Sequence, residues 1–313
     1  MFTSEKREMR ARRGGRAKSS QAYPKIRREL FESPTKSGDA NSASQRKDTN
    51  GLLSMLLSTL IFGCQGLSPK QPLPLPVPSE GVATVEVKQF LPNAYVVFHH
   101  LGSKTVNSLL VEMQSGDLVL VDAPVGDRAV DTLLSWIAYR MGERRLTAII
   151  TSSRWDRSSG IGRLMELGVA VHGSSAMVRA LQKQAREPLY PISPIPPDAR
   201  PERPQHIFSL KKGLVLNFAA EQVRVSFPGK AFSEDNVVVY FPRSRVLFAG
   251  GIIVANRPVP SSKPWAQVLR NLKKYRGDWV VPAEGRRLSP EIIDATLSVI
   301  ESKLTLATSE PKT

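Results

Sequence analysis

The chain has one cysteine, Cys64, in 313 residues. That excludes an intramolecular disulfide and any zinc site built from clustered thiolates. Its apolar run, Leu52–Phe62, is too short to cross a bilayer, which takes ~20 residues. There is no P-loop, dinucleotide-binding glycine fingerprint or internal repeat, so nucleotide chemistry on those motifs has no support. A Gly-x-Ser-x-Gly elbow is also missing. The paired serines Ser152-Ser153 and Ser158-Ser159 lack a positioned base with a third orienting group, which leaves them weak nucleophile candidates. Acidic residues are outnumbered, 28 against 44 basic, for a formal net charge of +16. Such a balance suits nucleic acid, an anionic membrane surface or acidic ligands. Outside residues 1–50, however, the charge is diffuse, and no recognised nucleic-acid-binding motif accompanies it, so nucleic acid is not the expected partner.

With 41% hydrophobic and 23% charged residues and a mean hydropathy of −0.21, the chain reads as globular with some non-globular sequence. The unusual composition gathers near the N-terminus. That favours one large domain with a tail over two equal domains. Residues 1–50 are basic, Ser/Arg-rich and without a sustained hydrophobic period, the pattern of disorder. Residues 51–64 have the apolar core of a secretory signal and end in Ile61-Phe62-Gly63-Cys64. That ending resembles a bacterial lipobox, in which the cysteine is lipidated and becomes the mature N-terminus, here with Arg46 and Lys47 as the basic flank. The alternative is a buried cysteine closing a chance apolar helix. Residues 65–81 carry Pro69, Pro72, Pro74, Pro76 and Pro78, a semi-rigid spacer of the kind that separates an anchor from a domain. The expectation is therefore a lipid-anchored protein of the cell envelope, with the membrane as partner through Cys64.

From Val82 the pattern changes to short apolar strands, expected at Val82–Phe90, Ala94–His99, Ser108–Met113 and Leu118–Asp122, with Ser115-Gly116-Asp117 as a turn. Asp127–Met141 has the helical period (Ala129, Leu133, Leu134, Ile137, Met141). A strand at Leu146–Thr151, a helix at Ile161–Leu167, a strand at Ala170–His172 and a helix at Ser174–Ala185 follow. Pro188–Pro204 is proline-dense and reads as an exposed loop, a possible lid. Strands return at Leu214–Phe218, Val223–Phe227, Val237–Phe241 and Val246–Gly250. Trp265–Tyr275 (helix), Trp279–Val281 (strand) and Pro290–Leu304 (helix) complete a domain at 82–304, with a short tail at 305–313. Strands then helices, repeated in similar order, predict an α/β fold with two sheets packed between helices, an αββα sandwich.

Several segments carry a family resemblance. Leu118-Val119-Leu120-Val121-Asp122-Ala123-Pro124 resembles the strand and turn that bear a buried aspartate near the metal in metallo-β-lactamases. Leu146–Thr151 resembles the strand entering their ligand loop. Pro228-Gly229, Asp235-Asn236-Val237 and Leu247-Phe248-Ala249-Gly250-Gly251 resemble the second half, and Trp265–Leu272 and Val280-Val281-Pro282 complete the order. The likeness covers most of residues 82–304 and points toward the broad-spectrum di-zinc β-lactamases.

The resemblance implies zinc, yet the ligand positions have changed. The family's His-x-His-x-Asp loop reads Ser152-Ser153-Arg154-Trp155-Asp156-Arg157 here, so only Asp156 matches a ligand, and Arg157 matches an arginine that some members carry. The remaining ligand positions hold Phe232, Gly251 and Glu284, and the antibiotic-binding lysine is missing near Val254. The chain's four histidines, His99, His100, His172 and His206, lie elsewhere. No zinc or other cofactor is therefore expected, although an oxygen-only site for a hard cation at Asp156, Glu284, Ser152 and Asp122 is a second possibility. Arg154 is expected to pair with Asp156, Glu284 or Asp122, substituting an ion pair for the metal, with a solvated loop at Arg154-Trp155 as the alternative. Phe232 is expected to fill vacated space, and Asp122, Arg157 and Asn236 to face the cleft. Gly160-Ile161-Gly162 reads as close packing beside the loop rather than an anion cradle. Together these predict a non-catalytic protein binding a small ligand or an envelope partner, with a diverged hydrolase as the alternative. A third possibility is a basic adaptor acting through its N-terminal region.

Overall fold

A computed structural model of the chain describes residues 84–184, 198–253 and 262–309. The basic segment, the lipobox with Cys64, the proline spacer, Val254 and most of the Pro188–Pro204 stretch lie outside those residues. Among the described residues no helix is long and apolar enough to cross a membrane.

Seven strands form the first sheet: β1 (Thr84–Leu91), β2 (Ala94–Leu101), β3 (Lys104–Glu112), β4 (Leu118–Val121), β5 (Leu146–Ile149), β6 (Ala170–Ser174) and β7 (His206–Phe208), lying side by side in that order. The first four run antiparallel as a meander, and β4 to β7 are parallel. Parallel neighbours need a crossover. The connections carry α1 (Asp127–Met141) between β4 and β5, α2 (Trp155–Ser158) and α3 (Ile161–Glu166) before β6, and α4 (Ser175–Gln184) after it. The second sheet holds β8 (Leu214–Phe218), β9 (Glu221–Ser226), β10 (Val238–Phe241), β11 (Val246–Gly250) and β12 (Trp279–Pro282), in the order β12-β11-β10-β9-β8. The helices α5 (Lys263–Leu272) and α6 (Glu291–Ser309) belong to this half, with a short 3₁₀ turn at Lys273–Tyr275 after α5.

Strand alternation sorts the side chains into three layers of core. Val97, Leu110, Leu120, Ala148 and Val171 pack against Ala129, Leu133 and Ile137 of α1 and Leu164 of α3. Val96, Phe98, Leu109, Val119 and Ile149 meet Val223, Val239 and Phe248 between the sheets. Val238, Leu247 and Val280 pack on Trp265, Leu269 and Ile293 of the second helix layer. Because β4 is covered on both faces, its Leu-Val-Leu-Val run is buried throughout. The architecture is thus the expected αββα sandwich.

The expected strand at Ser108–Met113 in fact begins at Lys104. Gly102, with φ of 57°, makes a two-residue turn between the paired Leu101 and Lys104, so the polar residues Lys104 and Thr105 are drawn into β3. A one-turn helix at Trp155–Ser158 and the strand β7 were not anticipated. Each is too short for a periodic signal.

Candidate functional site

The site lies where β4 and β5 of the first sheet end, beside β11 and the segment that follows β12. Asp122 follows β4 directly and takes a left-handed backbone (φ 64°), a conformation that Asp tolerates better than most residues. It is fully buried and accepts hydrogen bonds from Thr151 N (2.8 Å) and Thr151 Oγ1 (2.8 Å), which fixes the exit of β5. Burial pushes its carboxyl up to about 7, against the opposing pull of Arg157 and the Thr151 bonds. Ala123 N donates to Arg157 O (2.9 Å), tying this turn to α2.

The short helix α2 presents the changed ligand positions. Asp156 is buried, and its carboxylate accepts from Lys104 Nζ (2.7 Å) and from Arg154 Nε and Nη2 (3.2 Å each). Burial alone would raise its pKa. The charges of Arg157, Arg154 and Lys104 outweigh burial and hold the carboxyl well below the usual carboxylate range. Of the three carboxylates proposed as partners for Arg154, Asp156 is the one the structure pairs with it. The solvated-loop alternative is not what is found, since the Arg154 side chain is only 20% exposed and lies over the Phe232 ring at 4.7 Å. Phe232 in turn packs 5.9 Å from the Trp265 ring of α5.

Lys104 is the residue that sequence reasoning missed. Drawn into β3 by the hairpin, its ammonium reaches Asp156, stands 3.8 Å from Glu284 Oε1 and lies 5.3 Å from the Trp155 ring. Glu284 is held opposite by a bridge between its backbone and Val106. Asn107 reinforces that tie, donating from Nδ2 to the carbonyls of Pro282 (3.0 Å) and Gly285 (2.7 Å). Behind Asp156, the Arg157 side chain is buried, with Nε 4.0 Å from Asp122 Oδ2. Its guanidinium occupies the space before Gly251, where an added Cβ would lie 3.0 Å from Nη2.

Ser152 and Asn236 belong to a separate polar knot. Asp235, also missed, accepts from Ser153 N (2.6 Å) and Ser233 Oγ (2.6 Å), with Ser152 Oγ at 3.4 Å. Asn236 is buried there and donates to the Ser233 carbonyl. The four oxygen residues considered for a hard cation are thus split, Ser152 with Asp235 and Asp156 with cations. Among the described residues, no three His, Cys, Asp or Glu side chains gather in a way that could hold a metal ion. The histidines lie in other settings. His99 is fully buried, bonded to Ser108 Oγ (2.9 Å), and pushed down to about 3 by burial, so it stays neutral. His172 and His206 stack at 4.7 Å in neighbouring strands, and His100 pairs with Glu86.

Gly160 and Gly162 are close-packed, as expected. A Cβ at Gly160 would fall 2.4 Å from the Pro124 carbonyl oxygen, and one at Gly162 would fall 2.6 Å from Glu202 Oε1.

No family model matches the chain. Curated relatives do. A metallo-β-lactamase type 2 from Bacillus sp. (strain 170) is 28% identical over 233 residues, covering 70% of this chain and 83% of its own. Another, from Bacillus cereus, is 27% identical over 218 residues, covering 64% and 77%. Among solved structures, a metallo-β-lactamase from Pontibacter korlensis superposes with a TM-score of 0.59 at 20% identity, across 70% of this chain and 99% of that one. By its four-layer fold and by these relatives, the chain belongs to the metallo-β-lactamase superfamily.

Proposed function

We propose that this chain is a non-catalytic binding protein on the metallo-β-lactamase fold, with cations of its own standing where the relatives' zinc chemistry would be. The observation that carries this reading is the setting of Asp156. Its carboxylate is bonded by Lys104 and Arg154 and held ionised by the charge of Arg157 as well. Zinc is held by thiolate, imidazole or carboxylate lone pairs. A carboxylate already enclosed by cationic donors offers a metal little, and the adjacent guanidinium groups repel one. The residues present therefore do not fit a zinc ion.

In this reading the cleft binds a small ligand or an envelope partner, and the protein is tethered through a lipidated Cys64 that faces the periplasm or exterior. The second reading is a diverged hydrolase using another metal or none. It is favoured by the relatives, which are named as metallo-β-lactamases and match over most of their length. A direct test is β-lactam turnover by purified protein, with and without a chelator, beside the Asp156→Ala variant. The binding-protein reading expects no turnover above buffer. Chelator-sensitive turnover that is lost in Asp156→Ala would establish the hydrolase instead.

A further inference from the structure

His172 and His206 are partners in the parallel register of β6 and β7, and their rings stack at 4.7 Å with 25° between the planes. Both point to the face that carries Ile149 and Phe208, at the margin of the layer between the sheets. Because β7 is the last strand of its sheet, His206 is exposed, while His172 is partly buried between His206 and Ile149. Gln205 fixes the register just before the pair, its Oε1 accepting from Val171 N (2.9 Å). No described residue makes a hydrogen bond to either ring, and neither nitrogen of His172 is shut off from solvent. Burial, and then the neighbouring His206, pushes His172 down to about 4, so at neutral pH its ring is uncharged and offers a nitrogen lone pair.

We infer that His172 and His206 form a two-imidazole site for a divalent copper ion at the outer edge of the first sheet. Neutral imidazole is the commonest side-chain metal ligand, and among divalent first-row ions copper binds nitrogen sites most strongly. Two metal–nitrogen bonds of ~2.0 Å span ~3 Å at the right angle of a tetragonal ion and ~4 Å when opposed. A modest rotation of the exposed His206 ring therefore closes the 4.7 Å stack onto one ion. Strand pairing already holds the two ligands side by side, so little freedom is lost on binding. Water fills the remaining positions. The pair stands on β6 and β7, which give no residue to the Asp156 cluster, so the inference is independent of the reading of the cleft given above. Tight zinc sites use three or four protein ligands. With two, the ion exchanges with solvent and is washed out on desalting.

The test is titration of the full chain with copper(II) chloride alone, followed by electron paramagnetic resonance. All samples carry Cys64→Ser, so that no thiol competes for the ion. The parent should take up one copper showing the nitrogen splitting of two imidazoles. His206→Gln and His172→Gln should each lose that two-nitrogen signal. His100→Gln is the control and should keep it, since His100 is the other partly exposed imidazole, paired with Glu86, while His99 is fully buried. Because His206 is exposed, its variant should unfold at the parental midpoint without copper. A ligand bound only by the native state raises that midpoint, so copper should raise it in the parent and in His100→Gln but not in the other two. A two-nitrogen signal that survives in His206→Gln, is lost in His100→Gln, or never appears in the parent would overturn the site.

Discussion

Changing Asp156 to Asn removes the carboxylate to which Lys104 and Arg154 are both bonded, and leaves Arg157 behind it with less compensating charge. The side chain is 0% exposed, so water cannot take over as counter-charge. Removing one partner of a buried pair costs about 3–5 kcal/mol, chiefly because the other charge stays buried. Asparagine keeps the volume and one oxygen that can still accept from Lys104, so the lower end, ~3 kcal/mol, is expected. For a domain of this size that lowers the melting midpoint by about 6–12 °C. Arg154→Ala is the contrast. Asp156 keeps the Lys104 bond and the charge of Arg157, so the loss should be nearer ~1–2 kcal/mol. Urea titrations at pH 7 with matched slopes would measure both. Since the folded carboxyl is held below its ordinary value near 3.9, its contribution is full above about that pH and fades as the pH falls further. The Asp156→Asn deficit should accordingly shrink in strong acid. Equal losses in the two variants, or an Asp156→Asn protein as stable as the parent at pH 7, would refute the idea that this carboxylate anchors a cation cluster.

Asp122 should act in the opposite sense. With its folded value raised to about 7, the native state holds a proton that the unfolded chain releases near 3.9, so its stabilising contribution falls as pH rises from about 4 to 7, by up to ~1.4 kcal/mol per pH unit. Neutral His99 pulls the other way, its contribution being lost as pH falls below about 6.5. The informative quantity is therefore the difference between the parent and Asp122→Asn denaturation curves, which should change across that window and be flat above about pH 8. Gly160→Ala should cost ~1–3 kcal/mol, since its Cβ would strike the Pro124 carbonyl. Gly162→Ala should cost less by the same denaturation assay, because its shortest contact is the movable tip of Glu202, with the Arg200 Cβ at 3.1 Å, rather than a backbone carbonyl. Asn107→Ala leaves the Pro282 and Gly285 carbonyls without their donor and should cost about 1–3 kcal/mol in urea titrations.

Much of the fold is legible in the sequence, and the reason is periodicity. The helix at Asp127–Met141 and the strands at Leu214–Phe218 and Val246–Gly250 fall at the expected boundaries, because buried faces repeat every 3.6 or 2 residues. Elements without a period, such as Trp155–Ser158, left no such trace. Within the site, charge alone named Asp156 as one of three candidate partners for Arg154, and the structure pairs those two, which are two apart on one turn. Lys104 could not be named that way: it lies 52 residues from Asp156, and only the Gly102 hairpin and the meander bring it there. The Gly102-Ser103 dipeptide between apolar runs was the available signal. Asp235 was hidden differently. It was quoted as part of a motif, but its role as acceptor for Ser153 N depends on the approach of the β9–β10 loop to the end of β5, which no local pattern encodes.

The most direct measurement is the metal content of the purified chain after incubation with zinc and manganese and then desalting, by elemental mass spectrometry. With Lys104, Arg154 and Arg157 around Asp156, retained metal should be near zero. One or more tightly held ions per chain, lost in Asp156→Ala, would contradict the account and return the protein to the metal-dependent hydrolases.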